Sequence, residues 1–210
     1  MGDRPENKQI RRICAGLLAH VDAGKTTLSE ALLYCSGALR NLGRVDHSNS
    51  FLDTHILERE RGITIFYKQA VLQLDGVELT LVDTPGHVDF SAETERTLPI
   101  LDCGILVISG PDGPQGHTVT LWRLLERHNT PVFLFLNKMD QPVNQNELMR
   151  NMHQTLSDRI LDFSTYGSDE FWETAALGDE AALNEYLETG MLNDKTLRRL
   201  ICERKCFPCL

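Results

Sequence analysis

No run of apolar residues in this chain approaches the length of a membrane-spanning helix, and the opening Met1-Gly-Asp-Arg-Pro-Glu-Asn-Lys8 is too polar for a signal peptide. Met1-Gly2 lacks the Ser or Thr that N-myristoylation needs, because Glu6 stands in its place. Cytoplasm is the expected location, with no membrane partner. Positive charge is also short: 21 Lys and Arg against 30 Asp and Glu leave a net charge of −9. That balance argues against a DNA reader and against an anionic membrane surface, since both call for a basic face. It leaves open a nucleoprotein partner reached through a local patch or through domains outside this chain. A metal framework is missing as well. Cys206-Phe-Pro-Cys209 has CxxC spacing, with Cys202 just ahead, yet no second CxxC or HxxxH pair exists to complete a zinc site. The six cysteines (Cys14, Cys35, Cys103, Cys202, Cys206 and Cys209) fall mostly in apolar runs and read as reduced, buried thiols. No internal repeat and no low-complexity segment is present.

What is present is an ordinary globular composition, 41% hydrophobic and 24% charged over 210 residues, enough for one domain with an elaboration. Six segments read as strands: 12–19, 63–74, 77–82, 104–109, 130–136 and the terminal 206–210. Asp75-Gly76 between the second and third predicts a hairpin. Helices are expected over 26–34, 88–100, 115–128 and 141–158, with two more in 178–204 separated by Gly190. Residues 37–60 read as a long mobile loop. Strands alternating with helices, plus one hairpin, give a mostly parallel six-stranded sheet with one antiparallel pair, covered on both faces. The stretch from Asp140 to the terminal strand is too long for one crossover helix, so a helical insertion is expected there. From 141 to 210 the chain carries 12 acidic and 7 basic residues, a net charge of −5, which reads as a solvated face ahead of a docking surface.

Four motifs carry chemistry. Asn137-Lys138-Met139-Asp140 closes a buried strand, where open α/β sheets bind ligands. A carboxylate placed as Asp140 is accepts hydrogen bonds from N1–H and the exocyclic amine of guanine. Adenine has neither donor on that edge, which would leave the acid unpaired and argues against an ATP-driven enzyme. Ala19-His20-Val21-Asp22-Ala23-Gly24-Lys25-Thr26-Thr27 matches the GxxxxGK[ST] phosphate loop, with Ala19 in place of the first Gly. Backbone N–H groups from Asp22 to Thr26 would cradle phosphates, Lys25 would reach the β and γ oxygens, and the Thr26 hydroxyl would ligate Mg²⁺. In Asp83-Thr84-Pro85-Gly86-His87, Asp83 suits a water-mediated Mg²⁺ contact, the Gly86 N–H can sense the γ-phosphate, and His87 points to where an attacking water stands. Arg61-Gly-Ile-Thr-Ile65 closes the long loop. There Thr64 can offer its hydroxyl to Mg²⁺ and its N–H to the γ-phosphate, an order–disorder switch that depends on a triphosphate.

These motifs, with Phe51-Leu-Asp-Thr-His-Ile-Leu-Glu-Arg-Glu-Arg-Gly-Ile-Thr-Ile65 and Asp83-Thr-Pro-Gly-His-Val-Asp-Phe90, resemble those of the guanine-nucleotide domain of translational GTPases. Within that family the chain is most similar to elongation factor G and the tetracycline ribosomal-protection proteins. His after Asp-Thr-Pro-Gly separates this group from signalling GTPases, which place Gln there. The resemblance implies a three-layer P-loop GTPase fold over 10–140 and 205–210, with 1–9 a tail and 141–204 a helix plus a shortened inserted subregion. It implies GTP and GDP with Mg²⁺ as ligands, the ribosome as partner of the full-length protein, and a monomeric fragment. It gives His87 the task of orienting the hydrolytic water, with Val21 and Ile63 as an apolar gate beside it. Lys138 would lie along the guanine ring while Asn137 ties its motif to the phosphate loop. The family's last guanine-contact element, a Ser-Ala-Leu-like loop, should follow Phe207-Pro-Cys-Leu210. The chain thus reads as an N-terminal fragment whose guanine pocket lacks one wall and binds more weakly than an extended form. The expected function is a ribosome-stimulated GTPase of the ribosomal-protection type. The alternatives are an elongation factor G-like translocase and a nucleotide-gated binding module that barely hydrolyses.

Overall fold

A computed structural model of the chain describes residues 10–37, 68–74, 76–84 and 91–210. The loop of 37–60, the switch segment around Thr64 and the segment from Pro85 to Phe90 lie outside these residues, apart from Gly37. Seven strands form one sheet: β1 (Arg11–Ala19), β2 (Lys68–Leu74), β3 (Val77–Asp83), β4 (Cys103–Ser109), β5 (Val132–Asn137), β6 (Ile160–Asp162) and β7 (Phe207–Cys209). Their spatial order is β2-β3-β1-β4-β5-β7-β6, and β2 with β3 is the antiparallel pair among parallel neighbours. Gly76 takes φ 75°, the left-handed conformation a tight Asp-Gly hairpin turn needs, though Asp75 is not among the described residues.

The helices are α1 (Lys25–Cys35), α2 (Ser91–Thr97), α3 (Gly116–Arg127), α4 (Gln145–Thr155), α5 (Asp169–Ala176), α6 (Glu180–Thr189) and α7 (Asp194–Cys202). Period-two alternation along the strands divides the core by sheet face. Leu18, Leu106, Ile108, Leu134, Ile160 and Phe207 meet Leu121, Trp122 and Leu125 of α3 and Met152 of α4 on one face. Ala15, Leu17, Leu81 and Val107 meet Leu33 of α1 on the other. At the far end of that second face, Leu161 and Cys206 join Phe171, Trp172, Ala175, Ala182, Leu197 and Leu200 of α5, α6 and α7. The layering is therefore helix, sheet, helix. Among the described residues no helix is long and apolar enough to cross a membrane.

Two differences from the pattern reading have local causes. The sheet has seven strands rather than six, because Ile160-Leu161-Asp162 pairs with β7. Three residues carry no periodic signal, and their partner lies more than forty residues on. Helix α5 also falls where no helix is expected, and its start is set by Ser168, whose Oγ accepts from the Phe171 N–H at 3.2 Å. Helix α4 packs in the first core and β6 joins the sheet, while α5, α6 and α7 gather around a core of their own with Leu161 and Cys206. Gly190 stops α6 as expected, at φ 77°.

The CxxC of the terminal strand splits across the sheet. Cys206 enters the core under α5–α7 and Cys209 the core beneath α3, as a spacing of three along an extended chain requires. They cannot share a metal or a disulfide. Burial pushes both thiols up to about 12. Cys35 and Cys202 depart from the buried expectation: each ends a helix and is exposed.

Candidate functional site

Strands β3, β1, β4 and β5 run parallel and end together, with Asp83 abreast of Leu17 and Ser109 abreast of Asn137. This C-terminal edge gathers three of the four motifs, at the crevice where such sheets bind ligands.

The phosphate loop leaves β1 after Ala19, which is buried and keeps a negative φ, so the missing first glycine costs nothing here. The Ala23 N–H donates to the His20 carbonyl at 3.2 Å, and Asp22 and Gly24 hold φ of 61° and 91°. Alternating left-handed residues turn successive N–H groups inward to a concave anion site. Gly24 then caps α1 without any side-chain hydrogen bond. By contrast, Asn144, Ser168, Asp179 and Asn193 each close the N-terminus of a downstream helix by accepting a first-turn N–H. Among the described residues no group accepts from the amides of Lys25, Thr26 and Thr27, which are therefore open to an anion. Thr26 is half-buried and Thr27 exposed.

Lys25 and Asp83 are both buried, and Nζ of Lys25 donates to Oδ1 of Asp83. Oδ2 of Asp83 has no hydrogen-bond partner among the described residues. Thr84 is pinned beside it, with Oγ1 donating to the Leu17 carbonyl at 2.7 Å. A buried lysine and a buried carboxylate oxygen without a donor thus meet at the mouth of the phosphate loop.

Asn137 donates from Nδ2 to the Ala23 carbonyl at 2.9 Å, the tie expected between the two motifs. Lys138 turns the chain at φ 60° and its carbonyl accepts from the Gln141 N–H at 3.2 Å. Met139 and Asp140 are exposed, and no described residue occupies the Asp140 carboxylate. Together the structure assembles Ala19 through Thr27, Asp83, Thr84 and Asn137 through Asp140. Ile63, Thr64, Pro85, Gly86 and His87 lie outside the described residues.

The loop between β4 and α3 also belongs to this edge and carries no sequence expectation. A hollow of about 230 Å³ beside the phosphate loop is lined by His20, Val21, Asp22 and Ala23 with Ser109, Asp112, Gln115 and Thr118. Oγ of Ser109 donates to Asp112 Oδ2 at 2.6 Å, which stiffens the loop. Its signal is Gly-Pro-Asp-Gly directly after a buried parallel strand, a turn at the same edge as the motifs.

Known proteins resemble this chain in sequence and in fold. Over 207 aligned residues the chain is 42% identical to the tetracycline resistance protein TetS of Listeria monocytogenes, covering 93% of this chain and 32% of that protein. It is 40% identical over 190 residues to the tetracycline resistance protein TetO of Campylobacter jejuni, covering 85% and 30%. The chain thus spans about a third of the length of these curated relatives. A crystal structure of a Thermus thermophilus protein shares the fold, with a TM-score of 0.83 at 24% identity over 97% of this chain and 37% of the other. The model of the elongation factor Tu GTP binding domain matches residues 8–200. The chain therefore belongs to the elongation factor Tu GTP-binding domain family.

Proposed function

We propose that this chain is the GTP-binding and GTP-hydrolysing part of a ribosome-associated factor of the tetracycline ribosomal-protection type. The observation that carries the nucleotide reading is the Asn137–Ala23 hydrogen bond, which holds the base-reading turn and the phosphate loop at one fixed separation. The resistance type is favoured by the 40–42% identity to the two tetracycline resistance proteins.

Guanine pairs with Asp140 while Lys138 lies along its ring. The loop amides of Asp22 to Thr26 and the Lys25 ammonium take the β and γ phosphates. The donor set fits Mg²⁺, a hard cation that keeps several waters: Thr26 stands in the first turn of α1 with a hydroxyl to offer, and Oδ2 of Asp83, which has no partner among the described residues, suits a metal-bound water. When bound, the ion neutralises charge on the β and γ oxygens. Thr64 would add a second hydroxyl, and the N–H groups of Thr64 and Gly86 would meet the γ-phosphate. His87 orients the attacking water, with Val21 and Ile63 flanking it. These roles make catalysis chiefly positioning and electrostatics, slow until the ribosome supplies the active arrangement. The protein acts in the cytoplasm on the ribosome, without DNA or membrane, and this chain alone is a monomer.

The test follows labelled tetracycline release from ribosomes by the complete protein with GTP, with GDP, and with His87→Ala. GTP-dependent release lost in His87→Ala, with GDP binding kept, supports the proposal. Ribosome-stimulated hydrolysis without release indicates a translocase, and absence of stimulation indicates a nucleotide-gated binding module.

A further inference from the structure

We infer that Gly110 is a positioning residue for guanine recognition, setting where the Asn137–Asp140 turn lies and, through it, the carboxylate of Asp140. The inference rests on the proposed role of Asp140 as reader of the base.

Ser109 and Asn137 are the last paired residues of β4 and β5, so the chain leaves the sheet at Gly110 just where the recognition turn begins. Gly110 is buried, and its N–H donates to the Asn137 carbonyl at 2.8 Å. Its φ is not positive, so backbone freedom is not the reason for a glycine here. Space is the reason. A Cβ at Gly110 would stand 2.6 Å from Met139 Sδ, 3.2 Å from the Asn137 carbonyl oxygen and 3.3 Å from Val143 Cγ2. The turn packs directly on the bare α-carbon.

A side chain at this position turns the exposed Met139 thioether aside and then presses on the Asn137 carbonyl and on Val143. One of two loops must then give by a few tenths of an ångström, and they differ in stiffness. The 109–113 loop is closed by Ser109 Oγ to Asp112 Oδ2 at 2.6 Å and by the Gly113 N–H to the Ser109 carbonyl at 2.8 Å. The recognition turn has Lys138 in a left-handed conformation that costs a non-glycine residue energy, and Asp140 is exposed with no described residue holding it. The turn is the part that yields. The backbone atom pressed is the Asn137 carbonyl; with the Asn137 side chain tethered to Ala23, that push is passed on to residues 138–140. Asp140 then moves relative to a base whose phosphates stay fixed by α1.

The experiment measures GDP and inosine diphosphate affinities of this chain as wild type, Gly110→Ala, Gly110→Val and Gly116→Ala. Inosine lacks the exocyclic amine that Asp140 accepts from, so the ratio of the two affinities reports the placement of that carboxylate. A hydrogen bond to a charged group predicts a wild-type preference for GDP of about tenfold or more. Gly110→Val should compress that ratio toward one with the thermal midpoint near wild type, and Gly110→Ala should fall between. Gly116→Ala, whose added Cβ meets nothing within 4 Å, should leave the ratio unchanged. If Gly110→Val fails to fold, Gly110→Ala carries the test. Equal losses of GDP and inosine diphosphate affinity, or an unaltered ratio in both Gly110 variants, would overturn the inference. A wild type with no preference for GDP would overturn the role of Asp140 as well, which separates the two failures.

Discussion

Gly24 and Asn137 occupy each other's space: a Cβ on Gly24 would lie 2.1 Å from Nδ2 of Asn137, the same atom that donates to the Ala23 carbonyl. The glycine is thus needed twice, once for its φ of 91° and once for the approach of a side chain 113 positions downstream.

Gly24→Ala should therefore weaken GDP binding by at least tenfold, a cost of about 1.4 kcal/mol or more. Asn137→Ala should also weaken it, by freeing the recognition turn. Because both changes act on one contact, the double variant should lose less than the product of the single losses. Fluorescent-GDP titration of the four proteins checks this, and full independence of the two effects would contradict it.

Asp83→Ala leaves the Lys25 ammonium buried without its partner. Breaking a buried ion pair by removing one member typically costs about 3–5 kcal/mol. Urea unfolding without nucleotide should show a loss of that order. Lys25→Met, which leaves the buried Asp83 carboxylate unpaired, should show a comparable loss. The double variant Asp83→Ala/Lys25→Met, which removes both charges, should lose less than the sum of the two.

The α5–α7 helices should be acid-sensitive through Asp179. Its carboxylate accepts from Arg199 at 2.8 and 3.2 Å, from Lys205 at 2.5 Å and from the Ala182 N–H at 3.0 Å. The Arg199 hydrogen bonds first, then Lys205 and Ala182, hold it well below the usual carboxylate range. Glu185 is lowered in the same way, chiefly by Thr196. A depressed folded-state pKa stabilises fully above the unfolded value of about 4 and loses that contribution as pH falls below it. Fluorescence of Trp172, in the core under α5–α7, should report unfolding of these helices on acidification below about pH 4. Asp179→Asn should be less stable at neutral pH and show a shallower acid dependence.

Thiol labelling should rank the cysteines by structure. Cys35 and Cys202 are exposed and should react first. Cys103, raised to about 11 by burial and then by Asp102, should lag, and Cys206 and Cys209 should react only on unfolding. Peptide mapping after brief maleimide exposure checks the order. Early labelling of Cys206 would contradict the division of that CxxC across the sheet.

Local chemistry made much of this protein legible in one dimension. The stop of α6 is legible in Gly190 and the core strands in alternation or apolar runs, all set by neighbours a few residues apart, whereas α5, started by Ser168, is not read as a helix from the pattern. The phosphate loop and the base-reading turn were equally readable, because each works through a short run of backbone and side chains. Strand β6 was not, since three residues become a strand only when β7 arrives beside them. The same limit hid the opposite-face placement of Cys206 and Cys209, and the need for bare space at Gly24 and Gly110. Those depend on which distant segments the sheet order brings together. Sequence by itself determined the core strands, most of the helices and the chemistry each motif can perform. Tertiary structure alone decided their spacing, because contacts across more than a hundred residues have no local signature and exist only once the parallel strands end at a common edge.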